Sequence, residues 1–150
     1  MSKCLPFLPT IIESLVQSKS PVAVYLINGV KLEGTITLQG RDAFELTKPS
    51  MPTQVVRFLS IASLVFSSKT NFRQVATHAD EGDLVIAKFK EGIDADCWVT
   101  ASLINGVRLS GMPMCGGSDG LLLERSTAKY TAYTFALTSQ IASIQLNEPR

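Results

Sequence analysis

The sequence predicts a mainly β protein made of two tandem copies of one small module, each a short helix followed by five strands of a strongly bent, open antiparallel barrel. Three observations predict it. Residues 26–34, Leu-Ile-Asn-Gly-Val-Lys-Leu-Glu-Gly, recur at 103–111 as Leu-Ile-Asn-Gly-Val-Arg-Leu-Ser-Gly, with seven of nine positions identical. Ile61-Ala62-Ser63-Leu64 recurs as Ile141-Ala142-Ser143-Ile144. Between the copies, a tract of Ser, Thr, Lys, Asn and Gln reads as a linker, which divides the 150 residues into 1–66, a linker at 67–80, and 81–150. The first match is offset by 77 positions and the second by 80, so the later copy has gained three residues, placed most simply in Gly116-Gly117-Ser118-Asp119-Gly120.

Each element has a local reason. From Pro9 to Lys19, Ile12, Leu15 and Val16 recur at helical spacing, and Thr10 with Glu13 three residues later has the capping-box pattern. Pro21–Ile27 is β-branched and aromatic, and Asn28-Gly29 offers the positive φ angles of a two-residue type I′ hairpin. Val30–Leu38 alternates apolar and polar around Gly34, where a strand bends sharply most easily without a Cβ. Further strands are expected at 43–47, 54–59 and 61–66. The second copy repeats the plan, with a helix near 81–91 and strands near 98–105, 107–114, 121–126, 131–138 and 140–146. A module of about 65 residues leaves its outer strands with unsatisfied backbone groups, which another copy of the module can pair. The low charged fraction, 18% against a usual value of about 25%, agrees with such assembly.

Composition narrows the function. A net charge of +1 leaves no global basic field for nucleic acid, so any such contact is local. The three cysteines, Cys4, Cys97 and Cys115, form no CxxC pair, which points away from a disulfide framework and towards a reducing cytoplasm. Pro6 and Pro9 interrupt any export-type apolar run, and no membrane span is expected. His78 is the only histidine and falls in the polar linker, so neither a catalytic triad nor a zinc site has a natural home, and neither metal nor cofactor is expected. Cys97 and Cys115 read as buried small hydrophobes. Gly116–Gly120 lacks the Lys-Ser/Thr and helix of a phosphate loop. Lys69 and Arg73, flanking Phe72, read as part of a plain linker rather than as a basic arm.

Pro6-Phe7-Leu8, and then Pro21-Val22-Ala23-Val24-Tyr25-Leu26-Ile27-Asn28-Gly29-Val30-Lys31-Leu32-Glu33-Gly34-Thr35-Ile36, resemble the Hfq family of bacterial Sm-like RNA chaperones. The second copy resembles it through the repeat alone. The resemblance implies an LSm-type fold, rings of six such folds, and hence a homo-oligomer of three chains. It also implies binding of single-stranded, adenine- or purine-rich RNA, with a role in post-transcriptional regulation and no catalysed reaction. The RNA-binding positions it implies are Tyr25, Gly29, Val30, Lys31, Leu32 and Glu33, with Gly106, Arg108 and Leu109 in the second copy. Tyr25 supplies a stacking face and Lys31 a cation for phosphate. Glu33 stands where the family has a Gln, and Ser102 stands where the first copy has Tyr25. On the other face, Cys4-Leu5-Pro6, Arg57-Phe58-Leu59 and Ala136-Leu137-Thr138 replace the family's uridine-binding residues, and of the rim arginines only Lys19 offers a cation. These departures favour the alternative reading, a structural or protein-interaction ring whose RNA pockets have degenerated.

Overall fold

A computed structural model describes residues 7–67, 84–127 and 129–147. Cys4, Lys69, Phe72, Arg73, His78 and nearly all of the 67–80 linker lie outside them. Helix α1, Leu8–Ser18, buries Leu8, Ile11, Ile12 and Leu15 on one face and ends at Lys19, which adopts a left-handed φ of 53°. It begins earlier than the sequence suggests. Pro9 is tolerated in a first turn, so the helix starts ahead of it and Thr10 lies inside; the expected Thr10–Glu13 capping box does not form. The helix N-terminus is satisfied from elsewhere in the fold, as described below.

Strands β1 (Pro21–Leu26) and β2 (Lys31–Gln39) follow as an antiparallel hairpin. Its turn differs from the expected type I′. Only Gly29 has a positive φ, of 88°, while Gly29 N–H donates to the Leu26 carbonyl at 2.9 Å and Leu26 N–H donates to Val30 at 2.8 Å. This is a three-residue loop with the glycine at the left-handed position, and the Asn28 side chain accepts from Val30 N–H at 3.1 Å. The second hairpin, β6 (Val99–Leu103) and β7 (Arg108–Gly116), repeats it with Gly106 at φ 88° and Asn105 bonded to Val107 N–H.

Strands β3 (Ala43–Thr47), β4 (Gln54–Arg57) and β5 (Ile61–Phe66) complete the first half; a 3₁₀ turn, Phe58–Ser60, cuts short the strand expected at 54–59. In the second half, helix α2 is Leu84–Ala95, and β8 (Gly120–Ser126), β9 (Thr131–Leu137) and β10 (Ile141–Leu146) follow β7. The extra residues lie elsewhere than expected. Ala43 pairs with Arg57 and Gly120 with Leu137, so the 77-residue offset still holds at Gly120 and has become 80 by Leu137. The insertion therefore falls in the β8–β9 connection, where it lengthens the hairpin as far as the Ser126–Thr131 pair, and not in Gly116–Gly120.

All ten strands join one antiparallel sheet that is not closed, in the order β10-β6-β7-β8-β9-β5-β1-β2-β3-β4. The halves meet where β5 pairs with β9, Ser63 opposite Ala136 through Phe66 opposite Tyr133. One apolar cluster fills the first half and takes in Cys115, Leu122 and Phe135 from the second. The other lies under α2, around Phe89, Val99, Leu121 and Leu123. Cys97 and Cys115 are buried, as expected of small hydrophobes. Gly34 permits the close approach of β2 to β3, since a Cβ there would lie 2.6 Å from the Thr47 carbonyl oxygen.

Candidate nucleic-acid interface

Alternation along β1 turns Val22 and Val24 into the core and leaves Ala23 and Tyr25 on the opposite, outer face. Tyr25 pairs with Lys31 across the hairpin, and the Lys31 ammonium lies 5.8 Å from the centroid of its ring, within cation–π range. The same ammonium is 2.9 Å from Glu33, whose other carboxylate oxygen is 3.9 Å from Lys48. Lys31 and Glu33 side chains are about half exposed (47% and 52%), so water screens the pair. The hydrogen bond and charge of Lys31 hold the Glu33 carboxyl below the usual carboxylate range, and Glu33 raises Lys31 in return. A cavity of about 550 Å³ opens beside them, bordered by Lys31, Glu33, Lys48 and Gln54.

The sequence-derived positions separate into two sets. Tyr25, Lys31 and Glu33 converge on the outer face, with Gly29 and Val30 exposed at the hairpin tip. Leu32 and Leu109 instead pack against the two apolar clusters, because alternation in β2 and β7 turns them inward. In the second half, Arg108 pairs with Ser102, and Gly106 is exposed at the tip. The two hairpins are neighbours: the Asn105 amide donates to the Leu26 carbonyl at 3.3 Å. Of the positions where uridine-binding residues would stand, Ala136 and Leu137 are buried core residues, and Leu59 is 88% exposed.

Two features went unread in the sequence. The first is a cavity of about 760 Å³ on the outer side of β6 and β7, bordered by Trp98, Thr100, Ser110, Met112, Arg125 and Asn147. Its one advance signal was the single tryptophan of the chain. The second is Asp119, whose carboxylate reaches α1. No signal in a linear reading connects residues so far apart.

Among the described residues, no group of three or more His, Cys, Asp or Glu side chains is placed to hold a metal ion. No described helix is long and apolar enough to cross a membrane. The described residues thus form a mainly β structure with two helices, one open ten-stranded antiparallel sheet, and an outer face carrying an aromatic ring beside a cation. No family model matches it, and no curated protein matches it.

Proposed function

We propose that this chain is a tandem Sm-like protein, related to the Hfq family, that assembles three at a time into a ring and holds single-stranded, purine-rich RNA on the face carrying Tyr25 and Lys31. The observation that carries the assembly is the junction between the halves. There the last strand of one module, β5, pairs with the fourth strand of the other, β9, while the corresponding strands β10 and β4 are the two outermost strands of the sheet. Repeating that junction between chains sets Ser143 opposite Val56 and Ile144 opposite Val55. Such pairing removes both open edges, the usual fate of exposed strand edges in natural proteins.

The binding part of the proposal rests on Tyr25. An aromatic face accepts any base, with a contribution of about 1–3 kcal/mol per stacked base, and repetition around a ring adds avidity. No catalytic step is invoked. One observation favours the competing reading, a scaffold ring without RNA: Lys31 is already engaged by Glu33 at 2.9 Å. Light scattering and oligonucleotide titration separate the two. Three chains of 16.2 kDa give about 49 kDa, and a stable monomer overturns the ring. Oligoadenylate should bind more tightly than oligouridylate and lose affinity in Tyr25→Ala; absence of binding at low salt selects the scaffold.

A further inference from the structure

In the second half the position of Tyr25 is taken by Ser102, and the outer face there reads as a site that has lost its ring. The geometry points to a displaced site instead. We infer that the second half has its own nucleotide-binding cavity, in which Trp98 stacks a base of a single strand and Arg125 meets its phosphate; this rests on the reading of the outer face as an RNA surface.

Trp98 and Thr100 alternate with Val99 and Ala101, which are core residues, so they belong to the same outer face as Ser102. By the 77-residue offset Trp98 corresponds to exposed Pro21, four residues before Tyr25. At about 3.3 Å per residue, the aromatic platform has moved roughly 13 Å along the strand, from the hairpin end to the helix end. The same comparison removes the acid. Ser110 stands where the first half has Glu33, and its hydroxyl lies 3.0 Å from that of Thr100.

The floor of the cavity is ordered by its own hydrogen bonds. Asn147 N–H donates to the Trp98 carbonyl at 2.8 Å, and the Asn147 amide donates to the Thr100 hydroxyl at 3.0 Å. Hydroxyls and an amide beside an indole suit the edge and face of a nucleobase. Arg125 is exposed on the border and forms no ion pair among the described residues, in contrast to Lys31. Asp96, also on the border, accepts hydrogen bonds from an exocyclic amine or a ribose hydroxyl. The cavity, about 760 Å³, is within the size range of small-molecule sites.

Because Trp98 is the only tryptophan, its emission reports this cavity alone. The test titrates the full chain with end-labelled oligoadenylate, reading anisotropy for binding and indole emission for stacking. The expected result is quenching of Trp98 that persists in Tyr25→Ala, a loss of affinity of about 5- to 100-fold in Trp98→Ala, and near-normal affinity in Trp98→Phe. Arg125→Gln, which removes no packed side chain, should weaken binding and flatten the log K against log salt slope by about 0.7. Binding by anisotropy with unchanged indole emission, and with Trp98→Ala and Arg125→Gln equal to wild type, overturns the inference and leaves the Tyr25 surface standing. Quenching with no effect of Tyr25→Ala on affinity does the reverse. Equal quenching by free adenosine monophosphate at the same concentration overturns the strand as ligand.

Discussion

The Asp119 carboxylate accepts hydrogen bonds from the backbone N–H groups of Phe7, at 2.7 Å, and Leu8, at 2.9 Å, across 112 and 111 positions of sequence. An aspartate in the β7–β8 turn of the second half thereby caps the first helix of the first half and sets a negative charge against its positive dipole end. Beside it the Phe7 ring, 1% exposed, packs at a centroid distance of 5.9 Å from Phe135. The junction between the halves is thus a strand pairing, a helix cap and an aromatic contact together.

Asp119→Ala should lower the stability of the chain by about 1–2 kcal/mol, the usual cost of a lost cap, seen as a lower urea midpoint at constant m-value. Thr10→Ala should change it by less than about 0.5 kcal/mol, since Thr10 makes no capping bond. A reversed order of the two would remove the cross-half cap as an energetic link.

If chains join as the halves do, the exposed counterparts of the junction residues become buried. Leu84 corresponds to Phe7 and is 79% exposed; Val55 corresponds to Phe135 and is 70% exposed. Leu84→Asp and Val55→Lys should each bring the measured mass from about 49 kDa towards that of one 16.2 kDa chain, with circular dichroism unchanged. An assembled mass in both variants would exclude these surfaces from the interface.

If the outer face holds RNA as proposed, Glu33 restrains the cation that would meet its phosphate, since it pairs with Lys31 at 2.9 Å. Glu33→Gln should therefore tighten oligoadenylate binding and steepen the salt dependence by about 0.7 in log–log slope, equivalent to one more phosphate contact. The same release should occur on acidification. Lys31 depresses the Glu33 pKa, so the pair persists above the ordinary carboxylate range and breaks as pH falls through the lowered value. Affinity in wild type should rise over that acid window relative to the variant. Parallel pH profiles would show that Lys31 does not reach the strand.

Gly34 and Gly29 serve different purposes. Gly34→Ala pushes a methyl group against the Thr47 carbonyl, 2.6 Å from the ideal Cβ, and should cost about 1–3 kcal/mol in denaturant unfolding. Gly29→Ala meets no atom within 4 Å and carries only the strain of φ 88°, about 1 kcal/mol. Equal losses would indicate that backbone conformation, rather than the approach of β2 to β3, decides both.

The order of elements was legible from the chain because it depends on local patterns: repeated Asn-Gly turns, strand alternation, and a helical run of apolar residues at Ile12, Leu15 and Val16. Tyr25 beside Lys31 was not: the expected two-residue turn would set Tyr25 opposite Leu32, and the three-residue loop shifts the register by one so that Lys31 takes that place. The inward turn of Leu32 follows from alternation with Ile36 in the same strand, whereas the family resemblance implies an RNA-binding position there. Thr10 met every local criterion of a cap and lost to Asp119, because a first-turn Pro9 let the helix begin earlier. Only tertiary structure could bring Asp119 to Phe7, pair β5 with β9, and collect Trp98, Ser110, Arg125 and Asn147 around one cavity. Those relations join residues far apart in the chain, and they come from how the sheet and its helices bury their apolar faces together, which neighbouring residues do not encode.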